Sequence, residues 1–272
     1  MTNSSSNSQD KEPKSAENAI EQLPLLYRDD DIVVVDKPCG LLVHRSPIDR
    51  RETRFALQIL REQLGQYIYP VHRLDKPTSG VMVFGLHSES ASVLAKQFAQ
   101  HQIRKAYLAT VRGYAPASGC IDHPLRADPD RYAGRAEFGD AKPAITHYQC
   151  LAQYELDACI EKYPQSRYSL VLAQPLTGRP HQIRRHMKHI AHPIIGDAKH
   201  GRGRHNRYFA EHLACPRLLL HAMALEFSHP ASGERQRFVS PLTGAYAALV
   251  KAFNWQTAVN TAEHRLGWPK VT

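Results

Sequence analysis

The stretch Val71-His72-Arg73-Leu74-Asp75-Lys76-Pro77-Thr78-Ser79-Gly80 is the most unusual local string in the sequence. Pro77 and Gly80 interrupt regular structure, and an apolar strand is predicted directly after them at residues 81–85. Asp75 is therefore expected on a loop that a strand anchors, which is a common location for reactive groups. Two interpretations remain open: Asp75 takes part in catalysis, or it hydrogen-bonds its own turn.

A second string, Leu176-Thr177-Gly178-Arg179-Pro180-His181-Gln182-Ile183-Arg184-Arg185-His186, leads from a turn into a predicted helix at residues 181–190. An inward apolar stripe is expected from Ile183, Met187 and Ile190. The opposite side of the helix is predicted to carry His181, Arg184, Arg185 and Lys188. A helix N-terminus and arginine forks both favour an anion such as phosphate. A basic helix that faces only solvent is the alternative.

The charge of the chain is concentrated in this same region. The 272 residues carry a formal net charge of +9, and residues 1–30 carry −3, so the remaining 242 residues carry +12. Residues 179–207 alone carry +7 and hold six histidines. Such a segment favours a polyanion, most simply nucleic acid, although a solvated basic face would have the same composition.

The cysteines and histidines favour neither a disulfide framework nor a metal site. The five cysteines are an odd number and contain no CxxC pair, so buried reduced thiols are expected. Three histidines, His186, His189 and His192, are spaced by three residues, but no motif supplies the carboxylate or thiolate that zinc usually also needs. We therefore predict no metal ligands.

The remaining pattern predicts a mixed α+β domain with a largely antiparallel sheet. Strands are predicted at residues 31–35, 41–44, 106–111, 144–154, 168–173, 218–227 and 236–239, besides 81–85. Helices are predicted at residues 55–64, after a capping Ser88, at 181–190 and around Tyr246 to Phe253, giving three or four in all. Residues 127–143 and 201–207 are predicted loops. Residues 1–22 are expected to be a disordered polar tail, followed by one domain at 23–272.

No run of about 18 apolar residues and no signal sequence is present, so we expect no membrane segment and a cytoplasmic location.

Taken together, several strings resemble the RluA-type pseudouridine synthases over about residues 25–240. The matching strings are Lys37-Pro38-Cys39-Gly40-Leu41-Leu42-Val43-His44, His72-Arg73-Leu74-Asp75-Lys76-Pro77-Thr78-Ser79-Gly80, Lys105-Ala106-Tyr107, Thr177-Gly178-Arg179-Pro180-His181-Gln182-Ile183-Arg184, His192-Pro193-Ile194-Ile195-Gly196-Asp197 and Leu218-Leu219-Leu220-His221-Ala222. The resemblance implies an isomerase that breaks the glycosidic bond of a uridine, turns the base and rejoins it through carbon.

The resemblance also implies roles for individual residues. Asp75 aligns with the catalytic Asp of the family, as a nucleophile or as the base that removes a sugar proton. Tyr107 aligns with a tyrosine expected to stack on the base and to help with the final proton removal. Arg184 aligns with an arginine expected to pair with Asp75, and Arg73 with one that can enter the space left by the flipped nucleotide. The residues expected to bind RNA are Arg73, Arg179, His181, Gln182, Arg185 and Lys188.

The implied fold is the pseudouridine synthase core, a mixed and mainly antiparallel sheet with a central cleft and flanking helices. Neither a cofactor nor a metal is implied, and a separate N-terminal S4 RNA-binding domain is not expected. The strings His44-Arg45-Ser46, Thr146-His147-Tyr148 and Gly196-Asp197-Ala198-Lys199-His200-Gly201 are similar to the branch that modifies uridine sixty-five in the T stem of tRNA. The alternatives are a ribosomal RNA substrate or a non-catalytic RNA-binding protein. We expect a monomer without an obligate protein partner.

Overall fold

A computed structural model describes residues 22–45, 52–129, 139–264 and 266 of the chain. Its strands are β1 Leu25–Arg28, β2 Ile32–Lys37, β3 Tyr69–Pro70, β4 Ser79–Gly85, β5 Arg104–Arg112, β6 Ser118–Asp122, β7 Leu125–Arg126, β8 Ala141–Lys142, β9 Ile145–Leu156, β10 Ser166–Pro175, β11 Leu220–Ser228 and β12 Arg235–Val239. Its helices are α1 Ala56–Leu64, α2 Ser88–Ala99, α3 Gln182–His189, α4 Gly203–His212, α5 Gly244–Ala252 and α6 Gln256–His264.

Ten strands form one sheet, in the order β1-β2-β4-β11-β5-β10-β9-β6, with β3 beside β4 and β12 beside β11. Only the β4–β11 pair is parallel among these described strands, and every other pair is antiparallel. The sequence prediction of a mixed, mainly antiparallel sheet with flanking helices is therefore confirmed. A separate two-stranded ribbon joins β7 to β8.

Three apolar clusters pack around this sheet. The first surrounds β2, β4, α1 and α2, the second joins β5, β10 and β11 to α4, α5 and α6, and the third packs α3 on β5 and β10. Tyr107 on β5 contacts both the first and the third cluster. The groove between these two clusters is the central cleft that the family resemblance implies.

The predicted loop at residues 201–207 is wrong, because most of it belongs to α4. The basic and glycine-containing composition hides a helix whose inward face is His205 and Phe209, four residues apart and both buried. The C-terminal helix α6 was also not predicted, although Val259 and Ala262 are buried on it. Six helices are therefore present in the described part of the chain, rather than three or four.

The predicted strand at residues 41–44 is wrong as well. Leu41, Leu42 and Val43 are all buried, but the segment pairs with the rest of the chain through a single bridge from Leu42 to Phe55. The apolar run reflects burial in the core rather than a place in the sheet. Ser88 is the first residue of α2 and makes no capping hydrogen bond, since His87 occupies the N-cap position.

Two other expectations fall partly outside the described residues. Residues 1–21 of the predicted disordered tail lie outside the described residues, and only Gln22 is described. Residues 130–138 of the long loop predicted at 127–143 also lie outside the described residues. The described part of that loop contains strand β8. Within the described residues, none of the helices has the length and apolarity required to cross a membrane.

Candidate active site

The loop that carries Asp75 is held in place by the N-terminal lobe of the sheet. Its turn closes with a 3.0 Å hydrogen bond from the backbone N–H of Thr78 to the carbonyl of Asp75. The buried Lys37 ammonium donates to the carbonyls of Lys76 and Leu41, at 3.2 and 2.8 Å, and so ties the loop to the segment after β2. Burial lowers the pKa of Lys37 to about 7. The loop is thus fixed at both ends before Asp75 meets any substrate.

Close packing at Gly80 fixes the exit from the same loop. Gly80 has a φ of +118°, and a Cβ atom there would lie 2.2 Å from the carbonyl oxygen of Ala222 on β11. Only glycine allows this approach of the two backbones. The parallel β4–β11 pairing, in which Gly80 opposes Ala222, depends on that contact.

Arg184 connects Asp75 to a second, buried carboxylate. Its Nη1 donates to Oδ2 of Asp75 at 2.9 Å, while Nε and Nη2 donate to Oδ2 and Oδ1 of Asp197 at 2.7 and 2.9 Å. Arg184 and Asp197 are both buried, whereas Asp75 remains partly exposed on its open side. A guanidinium can make this forked bridge because its donors lie in one plane.

Asp197 is the residue that sequence analysis missed. It follows α3 in the tight segment before α4, and its Oδ1 also accepts the backbone N–H groups of Lys199 and His200 at 2.9 Å. Burial alone would raise the pKa of Asp197, but the hydrogen bond from Arg184 and the backbone donors outweigh it and lower that pKa. Burial alone would lower the pKa of Arg184. The hydrogen bond to Asp197 and the negative charge of Asp197 outweigh burial, so the pKa of Arg184 is raised. The pair stays ionised and holds the guanidinium against Asp75.

Tyr107 lies on β5 in the middle of the sheet, where it pairs with Ala173 of β10 and Ala222 of β11. Its side chain is half-buried and lines the same cleft as Asp75. Burial, and then the negative charge of Asp75, raise the pKa of the Tyr107 phenol. The residue is therefore a neutral phenol at neutral pH, with a ring face for stacking and a hydroxyl for hydrogen bonding.

A cleft of about 650 Å³ contains these groups. Its charged lining residues are Arg73, Asp75, Lys105, Arg179 and Arg184, so Asp75 is the one carboxylate on a wall with four cations among the described residues. Such a cleft attracts a polyanion, and Asp75 is the one carboxylate that it presents among the described residues. It can accommodate a single extruded nucleotide, which is how enzymes reach an atom inside a base-paired stem.

The residues predicted to bind RNA fall into two groups. Arg73, Arg179, His181 and Gln182 line the cleft with Asp75, Tyr107 and Arg184. Arg185 and Lys188 do not line it: the Arg185 guanidinium donates to the carbonyl of Arg126 at 2.6 Å, and Lys188 is exposed. Arg184 itself is buried, so the prediction that it shares an outer face with Arg185 and Lys188 is wrong.

The side chain of Gln182 makes four hydrogen bonds, two to the turn before α3 and two to the start of β9. Its Oε1 accepts from the hydroxyl of Thr177 and the backbone N–H of Arg179, and its Nε2 donates to Ile145 and Thr146. The side chain thus fixes the turn that leads into α3. His181, which has a left-handed φ of +54°, places its Nε2 3.8 Å from Oδ2 of Asp75.

The three histidines spaced by three residues do not converge. His186 is buried and uses its two ring nitrogens on the Thr146 hydroxyl and the carbonyl of His123. His189 stacks on the ring of His123, and His192 donates from Nδ1 to the carbonyl of Arg112. All five cysteines are free thiols, as expected, but only Cys215 is buried, so the expectation of buried thiols is wrong for the other four.

Comparison with known proteins places this chain among relatives by sequence and by fold. The sequence profile of the family described as RNA pseudouridylate synthase matches residues 31–189, more than half of the chain. Proteins named tRNA pseudouridine synthase C are similar over most of their length. The one from Haemophilus ducreyi is 46% identical over 235 residues, covering 86% of this chain and 97% of that protein. The one from Vibrio cholerae is 44% identical over 239 residues, covering 87% and 98%.

Two solved human structures share the fold. The protein named Human RNA Pseudouridylate Synthase Domain Containing 4 superposes with a TM-score of 0.63 at 25% identity, over 85% of this chain and 93% of that one. The protein named Human RNA Pseudouridylate Synthase Domain Containing 1 has a TM-score of 0.61 at 26% identity, over 90% and 98%. With the matching profile, these likenesses establish that the chain belongs to the RNA pseudouridylate synthase family.

Proposed function

We propose that this protein converts a uridine of tRNA to pseudouridine, that the target is uridine sixty-five in the T stem, and that Asp75 carries the reaction. The observation on which this rests is the Arg184 bridge, which holds Asp75 beside Tyr107 at a cleft that is otherwise cationic. The tRNA substrate is supported by relatives at 44–46% identity that bear the name tRNA pseudouridine synthase C.

In this reaction the N1–C1′ bond of the uridine breaks and a bond from C5 to C1′ forms, with no net change in composition. Asp75 either attacks C1′ and leaves when C5 attacks, or removes the C2′ proton to give a glycal that is later reprotonated. Both routes need an ionised carboxylate, which the Arg184 bond favours. Tyr107 stacks on the freed base while it turns. After C5 bonds to C1′, the proton on C5 is lost and N1 gains a proton, so the composition of the nucleotide is unchanged.

The cationic lining gives the cleft its second role, which is to hold the RNA while the nucleotide is extruded. Extrusion costs a few kcal/mol of stacking and pairing, about what several phosphate contacts return. Arg73, Arg179 and His181 are placed to make such contacts, since they line the cleft around Asp75. Arg185 and Lys188 would contribute to RNA binding only from outside the cleft.

Three further parts of the proposal concern the whole chain. Residues 23–272 form one catalytic domain, and RNA recognition depends on that domain. One chain by itself brings Asp75, Tyr107 and Arg184 to the cleft, so the proposed chemistry needs no second copy, and we infer a monomer. It works in the cytoplasm, where its tRNA substrate is found.

Purified protein incubated with unmodified tRNA tests the function directly. Pseudouridine mapping should show conversion at uridine sixty-five, and Asp75→Asn should bind the same tRNA without converting it. Conversion of ribosomal RNA instead of tRNA would support the alternative substrate. Binding without conversion of either RNA by the unmodified protein would support a non-catalytic RNA-binding protein.

A further inference from the structure

One end of the cleft carries an ammonium that the proposed chemistry does not use. Lys105 precedes Tyr107 by two residues on β5, so the two side chains lie on the same face of the sheet. Its Nζ donates to the carbonyl of Thr177 at 3.1 Å, and a Cβ on Gly178 would lie 3.9 Å from that Nζ. Burial lowers the pKa of Lys105 to about 8. The amine is thus held against the turn before α3, with two hydrogens left to donate.

This amine has no acidic partner in the described part of the chain. Among the ion pairs there, neither Lys105 nor Arg179 is a member, and the only carboxylate that lines the cleft is already bonded to Arg184. A half-buried cation without a counter-ion is unfavourable unless an anion completes its surroundings. Because the proposed function brings RNA into this cleft, a phosphate of the substrate could supply that anion.

His101 belongs to the same cluster. Burial, and then the charges of Lys105 and Arg179, lower the pKa of His101, which lies within electrostatic reach of both cations. All three residues line the cleft. The neutral imidazole can donate a hydrogen bond to an oxygen that the two cations also face.

The C-terminal end of helix α2 fixes the position of His101. Helix α2 ends in a Schellman motif, with hydrogen bonds from His101 to Phe98 and from Gln102 to Gln97. His101 has a φ of +58° at the position where glycine is usual. Ala191 after α3 and Asn254 after α5 adopt the same conformation, so the motif fixes the position of His101 at the cleft without itself indicating a function.

We propose that Lys105, His101 and Arg179 form a subsite for one phosphodiester of the RNA strand that carries the target uridine. The exposed Gly178 beside them has no side chain, so a phosphate can approach the turn closely. Lys105 provides a point charge, Arg179 a fork at the rim and His101 a neutral donor. This subsite rests on the proposed function and adds Lys105 and His101 to the groups that position the substrate.

Salt dependence of tRNA binding distinguishes a phosphate contact from a contact to a base. Dissociation constants are measured over a series of KCl concentrations at about pH 6.5, below the pKa of Lys105. The Asp75→Asn variant is the parent, so that no substrate is converted. Each test variant combines Asp75→Asn with one further substitution, which is Lys105→Gln, Lys105→Arg or His101→Gln. Lys251→Gln on α5 is the control, because Lys251 is exposed and does not line the cleft.

The subsite predicts that Lys105→Gln weakens binding about tenfold to a hundredfold. It also predicts that the slope of log Kd against log salt falls by about 0.7 to 0.9, the share of one phosphate contact. Lys105→Arg should keep the parent's slope, His101→Gln should weaken binding without changing the slope, and Lys251→Gln should match the parent. Thermal unfolding of each variant shows whether it is folded.

An unchanged slope in a folded Lys105→Gln variant would overturn the subsite, because a contact to a base or a purely structural role leaves the slope intact. Conversion of tRNA by the unmodified protein is measured in parallel. If the unmodified protein converts tRNA but Lys105→Gln leaves the salt slope unchanged, only the subsite is contradicted and the proposed function stands. If the unmodified protein converts no RNA, the proposed function is wrong and the subsite falls with it.

Discussion

Arg184 and Asp75 meet in a 2.9 Å hydrogen bond although 109 residues separate them in the sequence. The bond joins the loop before β4 to helix α3, and these two elements pack on different apolar clusters. The other two nitrogens of the guanidinium, Nε and Nη2, each donate to Asp197, so Arg184 cannot turn away from Asp75 without breaking a buried ion pair. The position of the carboxylate that we propose as catalytic is therefore set before RNA binds.

Replacing Arg184 by lysine should lower turnover on tRNA by about a hundredfold, since a single ammonium cannot bond both carboxylates in the forked geometry. Single-turnover rates of pseudouridine formation measure this effect. Arg28→Lys, on the exposed edge strand β1, is the matched control and should react like the unmodified protein. Normal turnover in Arg184→Lys would show that the fork does not position Asp75.

Replacing Asp197 by alanine should reduce the free energy of unfolding by about 3–5 kcal/mol, because Arg184 would keep a buried charge with half its partners. Turnover should also fall, since Arg184 becomes free to move. Urea denaturation measures the first effect and the tRNA assay the second. Asp122→Ala, an exposed carboxylate on β6, should change stability by about 0.5 kcal/mol or less. Equal stability of the two variants would contradict the bridging role of Asp197.

Gly80→Ala should destabilise the fold by about 3 kcal/mol or more, from the strained φ together with the collision with Ala222. The Asp75 loop should be displaced with it, so activity should fall even in the folded fraction. Gly233→Ala tests the φ effect alone, since that glycine has a φ of +73° and nothing within 4 Å of a Cβ. If Gly80→Ala lowers the free energy of unfolding no more than Gly233→Ala does, then the close contact between Gly80 and Ala222 does not require glycine.

Stability should decline as the pH falls from about 6.5 to about 4, in part because of His221. Its Nε2 donates to the carbonyl of Ser240 and its Nδ1 accepts from the hydroxyl of Ser79, so the folded state needs the neutral ring. Burial lowers the pKa of His221 to about 4. Between pH 6.5 and pH 4 the unfolded chain therefore binds a proton at this histidine while the folded chain does not. This difference lowers the free energy of unfolding by about 3 kcal/mol over that range.

Urea denaturation at several pH values tests this, with His221→Gln as the variant and His87→Gln, an exposed position, as the control. His221→Gln should be less stable at pH 7 but show a shallower decline below pH 6.5. A decline as steep as that of the unmodified protein would show that His221 is not among the groups responsible.

The sequence was informative wherever a motif and a local pattern coincided. The loop of Asp75 is bounded by Pro77, Gly80 and an apolar strand, and α3 follows a turn with a clear apolar stripe, so both could be predicted. The sheet class followed from many short apolar runs. The family resemblance then linked Asp75, Tyr107 and Arg184, which the fold brings to one cleft.

What the sequence could not provide were contacts made by the fold alone. Asp197 was quoted within a motif, but nothing local shows that its side chain reaches back to Arg184. Helix α4 begins at Gly203 and is rich in basic residues, so its two buried positions, His205 and Phe209, do not form a recognisable apolar stripe. Lys105 was part of a recognised string, yet its lack of an acidic partner emerges only when the cleft is assembled.

The most direct test of the central claim is pseudouridine mapping of total RNA from cells that lack this protein, with and without restored copies. The account predicts that one pseudouridine, at position sixty-five of tRNA, is lost without the protein, returns with the unmodified chain and does not return with Asp75→Asn. Full restoration by Asp75→Asn, or a complete set of pseudouridines in cells that lack the protein, would contradict it.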